Sequence, residues 1–156
     1  GVARIAEAFG MRVMVSQRPG GEPREGRHPL DEVLRESDVI SLHVPLLENT
    51  HHLIDERALR LMKQTALLIN TARGAVVDNQ ALADALRGGE IGGAGIDVLD
   101  VEPPQMDHPL LADNIPNLIV TPHSAWAGLQ ARQNVVDETV ENIRAFIAGE
   151  PRNRVA

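Results

Sequence analysis

Short apolar runs alternate with helical stretches along this chain, and that alternation constrains its fold more than any other feature. Residues 11–15, 38–44, 65–70, 94–98 and 117–121 each read as a strand of a few residues, built mainly from Val, Ile, Leu and Ala. Val2, Ile5, Ala6 and Phe9 fall at helical spacing before Gly10, and residues 30–34 also look helical. Asp55 can cap a helix through Leu61; Asp78 can cap another through Arg87 that Gly88 and Gly89 end. Parallel neighbours need long crossovers, usually helices, so the pattern predicts an α/β fold with a doubly wound parallel sheet. The run 65–70 is apolar enough to be expected buried on both faces. A long helix is expected from about 125 to 148, with Val135, Val136, Val140, Ile143, Phe146 and Ile147 as its buried stripe. Residues 16–29, rich in Pro, Gly and charge, read as a surface loop.

A doubly wound domain should open with a buried strand and a glycine-rich turn. This chain opens with Gly1 inside an uncapped helix, so we expect the C-terminal part of a longer protein, lacking that first strand and turn. With 22 acidic against 15 basic residues the net charge is −7 and no basic run stands out, which argues against a nucleic-acid or anionic-membrane surface. No apolar run approaches the roughly 18 residues of a bilayer span. The absence of Cys excludes disulfides, thiol nucleophiles and zinc–thiolate sites, and suits a reducing, cytoplasmic setting. With no Tyr, one Trp and two Phe, the stacking platforms of single-strand binders are missing.

Ligands of open parallel sheets sit beyond the carboxyl ends of the strands. Those ends carry Gln17-Arg18, Val44-Pro45, Asn70-Thr71-Ala72-Arg73-Gly74, Asp97 with Glu102 close behind, and Thr121-Pro122-His123. Each has a plain alternative: Arg73 a solvated loop arginine, His123 a structural cap, Glu102 a loop charge. The active readings are chemical. A guanidinium binds a carboxylate through a planar fork, an imidazole exchanges protons near neutrality, and a carboxylate can fix that imidazole. Asp97 interrupts an apolar strand and so bonds something specific, either backbone or ligand. His51-His52, His28 and His108 lie in expected loops without ligand spacing and read as solvated; no metal site is expected.

Three long motifs then carry a family resemblance. Asn70-Thr71-Ala72-Arg73-Gly74-Ala75-Val76-Val77-Asp78, Gly93-Ala94-Gly95-Ile96-Asp97-Val98-Leu99-Asp100-Val101-Glu102-Pro103 and Thr121-Pro122-His123-Ser124-Ala125-Trp126 resemble the D-isomer-specific 2-hydroxyacid dehydrogenases, as does Asp38 to Leu46 followed by Thr50. The forms around Glu102 and His123 look most like glycerate dehydrogenases and hydroxypyruvate reductases. The resemblance implies a Rossmann-like NAD(P)-binding domain over 1–123 and, over 124–156, a long helix and tail packing toward an absent substrate domain. It implies that Arg73 holds the substrate carboxylate, that His123 exchanges the proton and that Glu102 orients His123. It further implies a cofactor site of Gln17, Arg18, Val44, Pro45, Thr50, Thr71, Ala72, Arg73, Asp97, His123 and Ala125, holding NAD or NADP. The expected substrate is a small 2-oxo or 2-hydroxy acid, and the expected assembly a homodimer of the full-length protein.

One departure bears on the cofactor. The acidic residue that grips the adenosine ribose in NAD enzymes is replaced by Gln17, and Arg18 beside it could meet a 2′-phosphate. Either cofactor is therefore expected. A different class of function, a nucleotide-sensing scaffold or corepressor-like binding module on the same fold, stays open at this point.

Overall fold

A computed structural model describes residues 1–154 and divides the chain into two compact units, 1–122 and 123–156. The first is an α/β unit. Helix α1 (Val2–Ala8) and helix α2 (Leu30–Glu36) precede strand β1 (Val39–Leu42). Helix α3 (Glu56–Leu61) leads to β2 (Leu67–Asn70), helix α4 (Asn79–Gly88) to β3 (Gly93–Ile96), and a looping segment to β4 (Leu118–Val120). The four strands form one parallel sheet in the order β1-β2-β3-β4. The fold is therefore α/β around a parallel sheet, as the alternation predicts.

The caps work as their residue types require. Asp55 accepts the Ala58 N–H at 2.8 Å and starts α3; Asp78 accepts the Ala81 N–H at 3.0 Å and starts α4. Gly89, at φ 66°, ends α4 in the left-handed conformation that glycine adopts without penalty. Arg57 grips both carboxylate oxygens of Asp31, joining α3 to α2. That hydrogen bond, and then the charge behind it, holds the Asp31 carboxyl below its ordinary value.

Strands whose order follows the sequence, with crossovers of one hand, put their helices on one face. Ile40, Leu42, Leu68, Asn70, Ala94 and Ile96 point into that face and are buried beneath α2, α3 and α4. The opposite face carries Val39, Leu67 and Ile119, which are 40%, 43% and 69% exposed. The expectation that 65–70 is buried on both faces therefore fails at Leu67, which points to the side opposite the buried residues Leu68 and Asn70. Residues 11–15 also differ from expectation, since they form no strand. Their stretch meets the loop at the Val15 carbonyl, which accepts the His28 N–H, and just beyond it the Gln17 N–H donates to the His28 carbonyl. An extended run becomes a strand only where a neighbour supplies a ladder.

The second unit is dominated by helix α5 (Leu129–Ala148). It starts later than the sequence suggests, because a turn comes first: Ala127 N–H donates to the Ser124 carbonyl and the Trp126 indole to the His123 carbonyl. Its stripe is not buried. Val135, Val136, Val140, Ile143, Phe146 and Ile147 are all at least 40% exposed. Periodicity marked the apolar side of α5 but supplied no surface to cover it.

Candidate active site

The strand register brings four carboxyl ends to one edge: Leu42 opposite Asn70, Asn70 opposite Ile96, and Ile96 opposite Val120. The turn after β2 is built by Asn70. Its fully buried amide accepts the Ala72 N–H and donates to the Arg73 carbonyl, each at 3.0 Å. Both halves of the amide are thus spent on shaping the turn that presents Arg73. Arg73 is exposed and donates to the Ala72 carbonyl at 2.6 Å, while Thr71 is exposed and Ala72 half-buried.

Gly74 explains how this turn meets the next one. A Cβ placed there would lie 1.9 Å from the Leu99 carbonyl carbon and 2.3 Å from the Asp100 nitrogen. The requirement is one of space: only glycine lets the arginine turn rest directly on the Leu99–Asp100 backbone. Leu99 N–H in turn donates to Glu102 Oε1 at 2.9 Å. The Arg73 turn and the Glu102 loop are therefore packed side by side.

Asp97 follows β3 and is 5% exposed. Its N–H donates to the Asn70 carbonyl at 2.9 Å, and its Oδ1 accepts the Thr121 hydroxyl. The specific partner expected of a carboxylate in an apolar strand includes this hydroxyl at the end of β4. Near the end of β1, Val44 is half-buried and Pro45 exposed. Thr50 is buried, donating to the Pro45 carbonyl and accepting the Leu47 N–H, both at 2.7 Å. Its hydroxyl shapes the Pro45 loop from within.

Gln17 is likewise engaged. Its amide nitrogen donates to the Arg24 carbonyl at 3.0 Å and its oxygen accepts the Arg24 N–H at 3.2 Å, closing the loop that follows. Arg18 beside it is exposed. His123 and Ala125 belong to the second unit. There His123 adopts a left-handed φ of 51°, and its carbonyl accepts the Trp126 indole N–H at 2.7 Å.

Three of the histidines read as solvated are not, and one of them, His52, is half-buried with Nδ1 3.8 Å from Asp78 Oδ2. His28 is half-buried, with Nδ1 at 2.9 Å from Glu32 Oε1. His108 is 7% exposed and bonds Asp100 through Nε2 at 2.7 Å. His108 is the residue sequence reasoning missed. The signal was present in its place just ahead of Pro109-Leu110-Leu111, whose Leu110 enters the core. Among the described residues no group of three metal-ligating side chains gathers, and no helix is long and apolar enough to cross a membrane.

Residues 1–125 match the family model described as D-isomer specific 2-hydroxyacid dehydrogenase, NAD binding domain. The chain belongs to this family. It is 48% identical over 154 residues to a glycerate dehydrogenase of Methylorubrum extorquens, covering 99% of this chain and 48% of that one. It is 46% identical over 160 residues to a glyoxylate reductase of Korarchaeum cryptofilum, covering 99% and 48%. Among solved structures, an acyclic imino acid reductase in complex with NADPH and D-Arg superposes with a TM-score of 0.84 at 36% identity, covering 99% of this chain and 49% of that one. The chain thus spans about half the length of the curated relatives it matches. The family's domain is the one that binds the nicotinamide cofactor, with NADPH present in that imino acid reductase.

Proposed function

We propose that the full-length protein carrying this chain is an NAD(P)-dependent D-2-hydroxyacid dehydrogenase that reduces small 2-oxo acids such as glyoxylate or hydroxypyruvate. The observation that supports it best is the Gly74 contact. It packs a guanidinium-bearing turn against a carboxylate-bearing loop at the strand edge where such sheets hold ligands. Glyoxylate is the substrate in the name of the glyoxylate reductase relative, and hydroxypyruvate is the 2-oxo acid that glycerate becomes on losing a hydride and a proton.

The edge suits a dinucleotide. Val44, Pro45, Thr71 and Ala72 offer backbone at the strand ends, and Asp97 supplies a buried carboxylate between them. Thr50 serves by shaping the Pro45 loop, Gln17 and Arg18 stand for the adenosine end and Asp97 for the nicotinamide end, and Ala125 is a further cofactor-binding residue. When bound, the cofactor supplies the hydride for the 2-oxo carbon. Arg73 holds the substrate carboxylate through its planar fork and sits where negative charge grows on the carbonyl oxygen. His123 gives that oxygen its proton and takes one back in the reverse direction. Glu102 orients the imidazole. The balance is one hydride and one proton per 2-oxo acid.

Acceptance of both NADH and NADPH is read from positions 17 and 18, just after the 11–15 run. No acid stands there to repel a 2′-phosphate, the Gln17 amide is occupied by its own loop, and Arg18 offers a free-reaching cation. The exposed stripe of α5 supports burial against the rest of a full-length homodimer, and a chain without cysteine suits the cytoplasm.

The deciding experiment follows the absorbance of NADH and of NADPH with the full-length protein and a panel of 2-oxo acids. Substrate-dependent loss with glyoxylate or hydroxypyruvate is expected. Tight cofactor binding with no loss on any oxo acid would replace this reading with the scaffold.

A further inference from the structure

We propose that His108, acting through Asp100, is a positioning residue for Glu102. The proposal rests on the dehydrogenase reading above, which makes Glu102 the partner of the proton-transferring imidazole.

The His108 side chain is 5% exposed, and both of its nitrogens are used. Nδ1 lies 3.2 Å from the Leu110 N–H and must accept it, so the ring proton sits on Nε2. That Nε2–H donates to Asp100 Oδ1 at 2.7 Å. The same carboxylate oxygen accepts the Val101 N–H at 3.0 Å. One imidazole thereby joins a backbone amide on the core side to a carboxylate on the solvent side. A rigid ring that accepts on one edge and donates on the other has no substitute among the other side chains.

The loop it closes is the one that carries Glu102. Residues 100–107 are all exposed and contain no helix or strand, so their own packing gives little order. Their two ends are anchored: Val98 and Leu99 on one side and Leu110 on the other are buried. Between those anchors, Asp100 gathers the Val101 N–H and the His108 ring. Leu99 N–H meanwhile holds Glu102 Oε1 at 2.9 Å. Glu102 is therefore flanked by a backbone that His108 and Asp100 pin to the core. Burying an imidazole forfeits its hydration unless both nitrogens find partners, so its presence here marks a bonding role beyond filling space.

The test uses a double-mutant cycle on the full-length enzyme. His108→Asn keeps an oxygen for the Leu110 N–H but cannot reach Asp100. In the wild-type background it should lower kcat about tenfold, by loosening a catalytic partner, while KM for the reduced cofactor stays unchanged. In the Glu102→Gln background it should cost less than about twofold, because the residue it positions is already disabled. Asp100→Ala cuts the same bond from the exposed side and should repeat the pattern in a variant expected to fold. Asp100→Asn, whose amide oxygen still accepts both N–H groups, should recover most of that loss. Fully additive effects, or an Asp100→Ala enzyme with wild-type kcat, would overturn the proposal while leaving the role of Glu102 standing. If Glu102→Gln alone leaves kcat unchanged, the assigned role of Glu102 fails and this proposal falls with it.

Discussion

Replacing Gly74 with alanine puts a methyl carbon where backbone already stands. The new Cβ would lie 1.9 Å from the Leu99 carbonyl carbon and 2.0 Å from its oxygen, whereas ordinary Cβ contacts begin at 3.4 Å. The Arg73 turn and the Leu99–Asp100 backbone must therefore part by about 1.5 Å, and no flexible side-chain end is there to yield. Overpacking of this kind costs about 1–3 kcal/mol. For a domain of this size that lowers Tm by roughly 2–4 °C per kcal/mol, or about 4–8 °C at the middle of the range. The activity effect should be larger. A displacement of about 1 Å between groups that must act together costs on the order of a hundredfold in rate. The expected result for Gly74→Ala in the full-length enzyme is thus a kcat/KM for the oxo acid reduced about a hundredfold, beside a modest fall in Tm. Turnover with each 2-oxo acid and a thermal melt monitored by circular dichroism measure both. A variant with unchanged Tm and unchanged kcat/KM would show that the two loops are not held by this contact, and the account of the site would be wrong.

Other substitutions probe separate links. Thr121→Val removes a hydroxyl donor from the buried Asp97 carboxylate and should destabilise the protein by about 1–3 kcal/mol in urea titrations. Asp78→Ala uncaps α4 and should cost about 1 kcal/mol in the same assay, with KM values unaffected. His123→Ala should lower kcat by about two to four orders of magnitude; wild-type turnover would reject the proton-transfer role. Asp31 supplies a pH test. Arg57 depresses its folded pKa, so the pair stabilises above the ordinary carboxylate range and its contribution fades as pH falls through the depressed value. Urea midpoints of wild type and Asp31→Asn should therefore differ slightly at neutral pH and converge in strong acid; a gap that widened in acid would contradict the sign.

Some of this protein was legible residue by residue. Asp55 and Asp78 announced their helices because a cap is settled within four residues, by one side-chain oxygen and one nearby N–H. The alternation of apolar runs and helices announced a parallel sheet because a crossover needs length, and length is written along the chain. The residues of the Arg73 and Glu102 motifs were visible for the same reason: chemistry resides in side-chain type.

Other features belonged to neighbours far away in the chain. Residues 11–15 have strand composition but no ladder, since pairing depends on a second segment at the right distance. The apolar side of α5 was evident from spacing, yet whether anything covers it is not a property of spacing. His108 looked like any loop histidine until Leu110 carried it into the core beside Asp100. Gly74 looked like a turn glycine, but its smallness is used against Leu99 and Asp100, some 25 residues on. Local hydrogen bonding and periodicity are encoded in adjacent letters; burial and close approach arise only when the folded backbone brings distant letters together.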